Sequence, residues 1–349
     1  MYPNKIFKMK ILKTNMKKEI VAGKKRNVID LFCGAGGLST GFRMAGFDVI
    51  LGVDNIPVFC ETFEKNDHKS ICGNIREISV EQIKKEIDNK KVDVVVGGPP
   101  CQGFSMAGRR DPKDPRNSLF MEFVRIVGGL KPEFFVMENV PGILTMKTQE
   151  GIFVKDIILK EFNKLGYRVE AKKLLAADYG VPQKRKRVVF IGTNTNKKIN
   201  FPEPTHFKKP YKRIDGTITK KWVPVSSVII PREKVDPKFF HTPKMIEGFF
   251  RRLEKHREKG NGFGAQFLRM DEPSFTISAR YWKDGADALV KYSNKEIRML
   301  SPEECAAIQT FPKDYKWSGS KKDIYTQIGN AVPCLLGKAI AEEIKKSLN

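Results

Sequence analysis

Short apolar runs alternate with amphipathic stretches between residues 27 and 193. Six runs have the length of strands, and three of them (28–32, 92–96 and 134–137) are almost wholly apolar, which is typical of strands buried on both faces of a parallel sheet. This alternation predicts a doubly wound α/β domain. The predicted strands are 28–32, 49–53, 92–96, 134–137, 169–175 and 188–191, and the predicted helices between them are 38–45, 80–87, 119–127 and 153–165.

The regular pattern stops near residue 194 and returns at residue 297. The intervening stretch contains one amphipathic segment, 243–259, whose apolar face we interpret as core, with Gly260 placed to end the helix. Beyond residue 297, Ser301 and Glu304 have the spacing of a capping box for a helix at 302–309. The pattern at 332–347 predicts a last helix.

These patterns divide the chain into three parts. Residues 1–26 form a basic extension that we interpret as a solvated tail. Residues 27–193 together with 297–349 are predicted to form one mostly parallel, Rossmann-like domain. Residues 194–296 are predicted to form a smaller domain inserted into it.

The charge of the chain indicates a class of partner. The 349 residues include 64 Lys and Arg against 40 Asp and Glu, a net charge of +24. Such an excess favours nucleic acid or an anionic membrane surface. Nine Lys and Arg lie in residues 1–26 and eighteen lie in residues 197–272.

Cysteine spacing and hydropathy exclude other classes. The six cysteines (Cys33, Cys60, Cys72, Cys101, Cys305 and Cys334) form no CxxC pair, which argues against a zinc site and against a disulfide framework. No apolar run approaches the ~20 residues of a membrane span, and no signal peptide is recognisable. We expect a soluble, cytoplasmic protein with no metal site.

A glycine-rich turn follows the first predicted strand in the sequence DLFCGAGGL, residues 30–38. Glycines permit positive φ and let a ligand approach the backbone at a helix N-terminus. Asp54 ends the second strand, where an acidic side chain commonly binds ribose hydroxyls. Ser39 stands where a dinucleotide motif needs its third glycine, so an adenosine ligand without a diphosphate, such as S-adenosylmethionine, fits as well as a dinucleotide.

A cysteine follows the third apolar strand in the sequence GGPPC, residues 97–101. Active sites of doubly wound sheets lie beyond the carboxyl ends of the strands, so Cys101 is the predicted nucleophile. We interpret the other five cysteines as inert buried residues. The long basic stretch 105–117, with Arg109 and Arg116, is predicted to close over an anionic substrate.

Further polar groups are predicted at the same edge of the sheet. Glu138 and Asn139 end the fourth strand, so the carboxylate would face the same crevice as Cys101. Gln183, Arg185 and Arg187 alternate before the sixth strand and would share one face. A basic strand edge is the alternative interpretation of that run.

Together these segments resemble the cytosine-5 DNA methyltransferases, in particular the single-chain enzymes of prokaryotic restriction–modification systems. The resemblance covers roughly residues 27–193 and 297–349 and includes six motifs in the family's order: DLFCGAGGLSTGF, GGPPCQGFS, ENV, QKRKR, RMLSPEECAAIQTFP and QIGNAVP. It implies a DNA (cytosine-5-)-methyltransferase with an inserted target-recognition domain, acting on double-stranded DNA as a monomer. It also implies a restriction endonuclease that cuts the same site without forming a stable complex.

The resemblance implies S-adenosyl-L-methionine as cofactor and S-adenosyl-L-homocysteine as product. Phe32 would pack on the adenine, and Asp54 would bind the ribose with a shorter reach than the glutamate of many relatives. Asn74 stands where relatives usually have aspartate and would accept from the adenine amino group without charge assistance. The other implied cofactor residues are Gly34, Ala35, Gly36, Gly37, Asn55, Ile75, Pro100, Leu119, Asn330 and Val332.

The resemblance also implies the chemistry. The Cys101 thiolate would add to carbon 6 of cytosine and make carbon 5 nucleophilic enough to take the methyl group. Glu138 would donate to ring nitrogen 3, Arg185 would hold the carbonyl oxygen and Arg187 would steady the catalytic loop. The cytosine would be flipped out of the duplex to reach these groups. The implied catalytic set is Cys101, Glu138, Asn139, Gln183, Arg185 and Arg187.

Two alternatives to this function are a tRNA-methylating relative and a non-catalytic DNA-binding module. The tRNA enzymes carry a Cys-Phe-Thr tripeptide that this chain lacks, and the complete motif set argues against a non-catalytic module. The segment 271–277 resembles the family's threonine-containing recognition segment. The predicted DNA contacts, to bases or to phosphates, are Ser105, Arg109, Arg116, Arg269, Thr276, Arg280 and Lys283.

Overall fold

The computed structural model describes residues 25–100, 119–148, 151–258 and 265–349. Its centre is a seven-stranded sheet in the order β3-β2-β1-β4-β5-β7-β6. β7 runs antiparallel to the other six strands of this sheet, so the predicted doubly wound, mostly parallel α/β fold is confirmed. The strands are β1 Asn27–Leu31, β2 Asp48–Asp54, β3 Ser70–Cys72, β4 Val94–Gly97, β5 Phe134–Asn139, β6 Arg168–Leu175 and β7 Lys186–Thr193.

Helices cover both faces of the sheet because successive strand residues point to opposite faces. Val94 and Val96 of β4 pack in one buried cluster with the first and last helices. Val95 between them packs in a second cluster with the helices on the other face. The helices are α1 Gly37–Met44, α2 Pro57–Lys65, α3 Val80–Glu86, α4 Leu119–Leu130, α5 Val154–Lys164, α6 Pro243–Glu258, α7 Pro302–Ile308, α8 Lys321–Asn330 and α9 Cys334–Leu348.

One helix end follows its predicted capping signal, and another differs from the prediction. Ser301 Oγ accepts from the backbone N–H of Glu304, and the Glu304 carboxylate accepts from the backbone N–H of Ser301, so the predicted capping box of α7 is confirmed. The last helix begins at Cys334 instead of residue 332, because Pro333 occupies its N-cap. The pattern missed the helix α2, the largely polar helix α8 and the edge strand β3, which has only three residues.

The segment after β7 packs with helices from the end of the chain. Val225, Ile277 and Tyr281 share one buried cluster with Tyr325 and Ile328 of α8. The predicted domain boundary at residue 297 falls inside this cluster, so the division into two domains stays a prediction. This segment also holds α6, whose predicted apolar face is buried at Ile246 and Phe249 and exposed at Met245. It also forms two short sheets, one of β8 His206–Phe207 with β9 Lys220–Lys221 and one of β10 Val290–Lys291 with β11 Ile297–Arg298.

The described cysteines depart from their predicted burial at one position. Cys33, Cys60, Cys305 and Cys334 are buried, whereas Cys72 is exposed because it ends the edge strand β3. Within the described ranges, no three His, Cys, Asp or Glu side chains gather as metal ligands do. In the same ranges, none of the helices combines the length and the apolar composition that a bilayer crossing requires.

Candidate active site

The carboxyl ends of four neighbouring strands lie in register at one edge of the sheet. Leu31 of β1 pairs with Val53 of β2 and with Gly97 of β4, and Gly97 pairs in turn with Met137 of β5. Ligand sites of doubly wound sheets form at this edge. The register therefore brings together the next residue of each strand, namely Asp54, Phe32, Gly98 and Glu138.

The Asp54 carboxylate holds the turn that follows β1. Its Oδ2 accepts from the backbone N–H of Gly34 at 2.9 Å, and its Oδ1 accepts from that of Ile56 at 3.0 Å. Burial raises the pKa of Asp54, and these backbone donors oppose the rise. Phe32 has a φ of 60°, which is uncommon for a side-chain-bearing residue and turns the chain out of the strand. A carboxylate has about four acceptor positions, so Asp54 can also accept from a ribose hydroxyl.

The three glycines of this turn have different surroundings. A Cβ atom on Gly34, whose φ is +54°, would meet nothing within 4 Å. A Cβ on Gly36 would lie 2.9 Å from the Tyr315 hydroxyl, and one on Gly37 would lie 2.3 Å from the carbonyl oxygen of Val332. Packing therefore requires glycine at positions 36 and 37, and Gly34 is the one of the three with open space for a ligand.

Tyr315 joins the same turn to the end of the chain and was missed in the sequence. Its hydroxyl donates to the carbonyl oxygen of Ala35, and its ring packs against Phe311 and Trp317. Burial raises the pKa of Tyr315, so the hydroxyl keeps its proton and remains a donor. Three aromatic residues within seven positions were the signal that could have identified this contact.

The predicted adenine-binding residues follow β3. The Asn74 side-chain oxygen accepts from the backbone N–H of Arg76 at 3.2 Å, and its amide donates to Glu77 at 2.9 Å. The side chain is exposed and already stabilises a turn, so one lone pair of its oxygen is left for adenine. Ile75 is buried in the core, so contact with a ligand would be through its backbone. Asn55 is exposed, as is Asn330 at the end of α8, and Val332 is buried.

Glu138 lies between Arg187 and Gly98 at the carboxyl edge of the sheet. Arg187 Nε lies 2.6 Å from Glu138 Oε1, and both side chains are nearly buried, with 12% and 13% exposed. The contact is an ion pair without a hydrogen bond of good angle. A Cβ on Gly98 would lie 3.2 Å from Glu138 Oε2, so the missing side chain there leaves room for the carboxylate.

The structure places the two arginines in different surroundings. Arg185 is 1% exposed, and its Nη1 and Nη2 donate to the carbonyl oxygens of Ile277 at 3.1 Å and Gly329 at 2.8 Å. Burial, followed by the charge of Arg187, lowers the pKa of Arg185. The backbone therefore engages its two terminal nitrogens, whereas its buried Nε has no hydrogen-bond partner among the described residues. Arg187 is the arginine beside Glu138. Gln183 and Arg185 are both buried and both contact Ile277, whereas Arg187 lies in β7 and contacts Glu138. The shared face of all three side chains stays a prediction.

Two buried glutamines, like Arg185, join the start of β7 to later segments of the chain. Gln183 Nε2 donates to Gln309 Oε1 at 3.0 Å, and Gln183 Oε1 accepts from the backbone N–H of Ile277 at 3.1 Å. Gln309 Nε2 donates to the carbonyl oxygen of Ile328 at 2.8 Å. We call Gln183, Arg185 and Gln309 the polar clamp, because they tie the segments 276–279 and 328–331 to the start of β7. Gln309 was missed, although a glutamine in the apolar run AAIQTF was a usable signal.

Asn139 positions the turn that precedes the predicted nucleophile. Its Nδ2 donates to the carbonyl oxygen of Pro99 at 3.0 Å, and its Oδ1 accepts from the backbone N–H of Val140 at 2.9 Å. Pro100 and Leu119, both half-buried, end the described segments on either side of 101–118. Four predicted site residues lie outside the described residues: Cys101, Ser105, Arg109 and Arg116.

The described DNA-binding candidates lie on one exposed stretch. Arg269, Thr276, Arg280 and Lys283 are all exposed, and the Thr276 hydroxyl donates to the carbonyl oxygen of Lys184 at 3.4 Å. Lys184, which the sequence did not mark as a DNA contact, also belongs to this surface. Its ammonium pairs with Glu272, which also pairs with Arg269 at 3.4 Å. These contacts form a mixed-charge surface beside the polar clamp.

Comparisons with known proteins agree with this geometry. A family model described as C-5 cytosine-specific DNA methylase matches residues 26–346. The type II methyltransferase M1.HphI of Haemophilus parahaemolyticus is 38% identical over 336 residues, which cover 91% of this chain and 86% of that protein. M.DdeI of Desulfomicrobium norvegicum is 35% identical over 375 residues, covering 91% and 88%. The methyltransferase EhMeth of Entamoeba histolytica has the same fold, with a TM-score of 0.73 at 19% identity over 93% of this chain and 99% of that one. This chain belongs to the C-5 cytosine-specific DNA methylase family.

Proposed function

We propose that this protein methylates carbon 5 of a cytosine within a specific duplex DNA sequence, as the modification enzyme of a type II restriction–modification system. The observation that carries the proposal is the row of groups at the carboxyl edge of the sheet. There Glu138, paired with Arg187, lies in register with the Asp54 turn and with the strand that leads to Cys101. The proposal includes a monomeric enzyme and an endonuclease that recognises the same site without a stable complex.

Cys101 acts as the nucleophile. Its thiolate forms a bond to carbon 6 of a flipped-out cytosine, and the electron pair of the carbon 5–carbon 6 double bond moves towards ring nitrogen 3. Carbon 5 then carries the electron density that attacks the methyl group. Loss of the carbon 5 proton and elimination of the thiolate restore the double bond and release the product. Asn139 supports this step by fixing the carbonyl of Pro99, two residues before Cys101.

Glu138 and Arg187 stabilise the electron density that reaches the ring. Glu138 exchanges a proton with ring nitrogen 3 and accepts from the exocyclic amine. Arg187 orients the carboxylate through the 2.6 Å ion pair and supplies positive charge at the carbonyl oxygen of the base. Arg185 and Gln183 act as positioning residues, since their polar groups contact Ile277, Gly329 and Gln309.

The turn after β1 fits S-adenosyl-L-methionine, which supplies an electrophilic methyl group when bound. Open space lies at Gly34, and the Asp54 carboxylate retains acceptor positions for a ribose. Gly36 and Gly37 are packed against the end of the chain, which removes the glycine cradle that a dinucleotide diphosphate needs. These contacts favour an adenosine ligand without a diphosphate, and S-adenosyl-L-homocysteine is then the product.

Methyl transfer from labelled cofactor to duplex DNA tests this proposal. The wild type is expected to label one cytosine in one sequence, located by bisulfite sequencing, and Cys101→Ser is expected to show no turnover. Cofactor binding by the variant, measured by calorimetry with S-adenosyl-L-homocysteine, shows that it is folded. Retained turnover in Cys101→Ser would overturn the mechanism, and preferential methylation of tRNA over duplex DNA would overturn the substrate.

A further inference from the structure

Residues 208–221 form an exposed, folded arm outside the site described above. Its ends are joined where β8 pairs with β9. Near its tip the backbone N–H of Arg213 donates to the carbonyl oxygen of Thr217 at 2.8 Å, and that of Thr219 donates to Tyr211 at 2.9 Å. Asp215 Oδ1 accepts from the Thr217 backbone and hydroxyl. We call residues 208–221 the basic arm.

The basic arm carries concentrated positive charge with little internal compensation. It holds six cations against one carboxylate, and that carboxylate, Asp215, is engaged in the turn. Among the described residues, no ion pair joins any of the six to a carboxylate. Unpaired, exposed cations are the groups that neutralise phosphates and release counterions. The six are Lys208, Lys209, Lys212, Arg213, Lys220 and Lys221.

Apolar side chains accompany these cations at the tip. Ile214 is fully exposed, and Ile218 and Tyr211 are 75% and 50% exposed. Clustered exposed apolar groups rimmed by charge mark interaction surfaces. Cations flanking an apolar wedge are typical of proteins that hold phosphates while inserting a side chain into a DNA groove.

The base of the basic arm adjoins the predicted DNA-reading stretch. Trp222 Nε1 donates to Asp178 Oδ1 at 2.9 Å, and the backbone N–H of Val225 donates to the carbonyl oxygen of Glu272 at 2.8 Å. Lys184 chiefly, with Arg269 and Lys208, lowers the pKa of Glu272. Lys208 thus lies within electrostatic range of the mixed-charge surface that carries Arg269 and Thr276.

We propose that the basic arm binds the backbone and groove of duplex DNA beyond the base pairs read by residues 269–283, without sequence preference. Its lysines and Arg213 contact phosphates, and Ile214 enters the groove. The inference rests on the proposed DNA substrate, and it assigns a second contact that extends the footprint along the duplex.

The test compares the DNA affinity of variants on two duplexes, each of which contains the sequence that the enzyme methylates. One duplex ends just outside the site, and the other extends by about one helical turn, roughly ten base pairs, on each side. The variants are Lys212→Gln/Arg213→Gln and Ile214→Ser. The matched control is Lys85→Gln/Lys90→Gln, which removes two exposed lysines near α3 that form no ion pair among the described residues. Kd is measured by fluorescence anisotropy over a range of salt concentrations.

On the long duplex, Lys212→Gln/Arg213→Gln is expected to weaken binding about tenfold and to reduce the slope of log Kd against log salt by about 2, because about one counterion is released for each phosphate contact. Ile214→Ser is expected to weaken binding without changing that slope. On the short duplex, both variants and the control are expected to match the wild type.

Two outcomes separate this inference from the proposed function. If the wild type methylates duplex DNA and the arm variants bind the long duplex as the control does, the basic arm has no DNA contact and the function stands. If the wild type neither binds nor methylates duplex DNA, the function itself fails. Unchanged affinity for S-adenosyl-L-homocysteine shows that each variant retains its cofactor domain.

Discussion

At the scale of the residue, position in a strand separates two arginines that look equivalent in the sequence. The run QKRKR predicts Arg185 and Arg187 on one face. The structure buries Arg185 among carbonyl oxygens and pairs Arg187 with Glu138. The partners of Arg185, Ile277 and Gly329, lie about 90 and 140 residues away, so local pattern carries no information about them.

Arg187→Ala is expected to lower kcat by about 10²–10³, because it removes the charge beside Glu138 where electron density develops. Its affinity for S-adenosyl-L-homocysteine is expected to stay unchanged. Arg185→Met is expected to lower the free energy of unfolding instead, because buried carbonyl oxygens lose their donors. Single-turnover kinetics and urea unfolding separate the two effects. Full activity in Arg187→Ala would remove Arg187 from the chemistry.

The buried carboxyl group of Asp30 is expected to make the free energy of unfolding depend on pH. Burial raises the pKa of Asp30 from 3.8 to about 7, with Ser39 Oγ donating to it at 2.6 Å. The folded state therefore binds this proton more tightly than the unfolded state. Its contribution to stability is complete below about pH 4 and is lost as the pH rises towards about 7.

The Asp30→Asn variant is expected to remove this dependence. Between about pH 4 and about pH 7, the free energy of unfolding of the wild type should fall relative to the variant by up to about 1.4 kcal/mol per pH unit. Urea unfolding of both proteins across this range measures the difference. Parallel curves would show that Asp30 ionises normally in the folded protein.

At the scale of the element, the turn after β1 and the helix α1 that follows it also pack against the end of the chain. The sequence predicts a ligand-binding turn from its glycines, and Gly34 has the open space this needs. Gly37 and Gly41 instead allow the segment 332–338 to approach the backbone of α1. A contact between residues nearly 300 positions apart has no signature in a local window.

Gly37→Ala is expected to lower the free energy of unfolding by about 1–3 kcal/mol, because the added methyl group meets the carbonyl of Val332. The control is Gly248→Ala in α6, where a Cβ meets nothing within 4 Å. That change is expected to be neutral or to stabilise the helix by up to about 1 kcal/mol. Urea unfolding ranks the two, and equal stabilities would contradict the packing role of Gly37.

The polar clamp predicts a linked loss of stability and DNA affinity. Gln309→Leu leaves Gln183 Nε2 and the carbonyl of Ile328 without their partner, which is expected to cost about 1–3 kcal/mol. DNA affinity is expected to fall with it, since Gln183 also holds Ile277 next to Thr276. Gln82→Leu on the exposed side of α3 is the control. If Gln309→Leu lowers stability and leaves DNA affinity unchanged, Gln309 contributes to folding and not to DNA binding.

At the scale of the whole molecule, the sequence predicts the sheet and its chemical edge better than the segment 194–296. The apolar strands and the residues that end them, Asp54 and Glu138, are local signals. The parallel pairing of the strands aligns these residues at one edge of the sheet. The segment 194–296 shares its buried core with α7 and α8. Its own hydrophobic periodicity is therefore weak. Net charge indicates a polyanionic partner but does not locate the surface that binds it. The basic arm is identified by the exposure of its cations and by the absence of ion pairs to them among the described residues.

The most direct measurement is covalent trapping on duplex DNA that carries 5-fluorocytosine at the target position. Fluorine at carbon 5 prevents loss of a proton there, so the cysteine adduct persists after methyl transfer. Mass spectrometry of the digested complex is predicted to find the methylated base bonded to the peptide containing Cys101, and Cys101→Ser is predicted to give no adduct. A protein that methylates unmodified duplex DNA yet forms no adduct with the fluorinated duplex, or forms it at another residue, would contradict the assignment of Cys101 as the nucleophile.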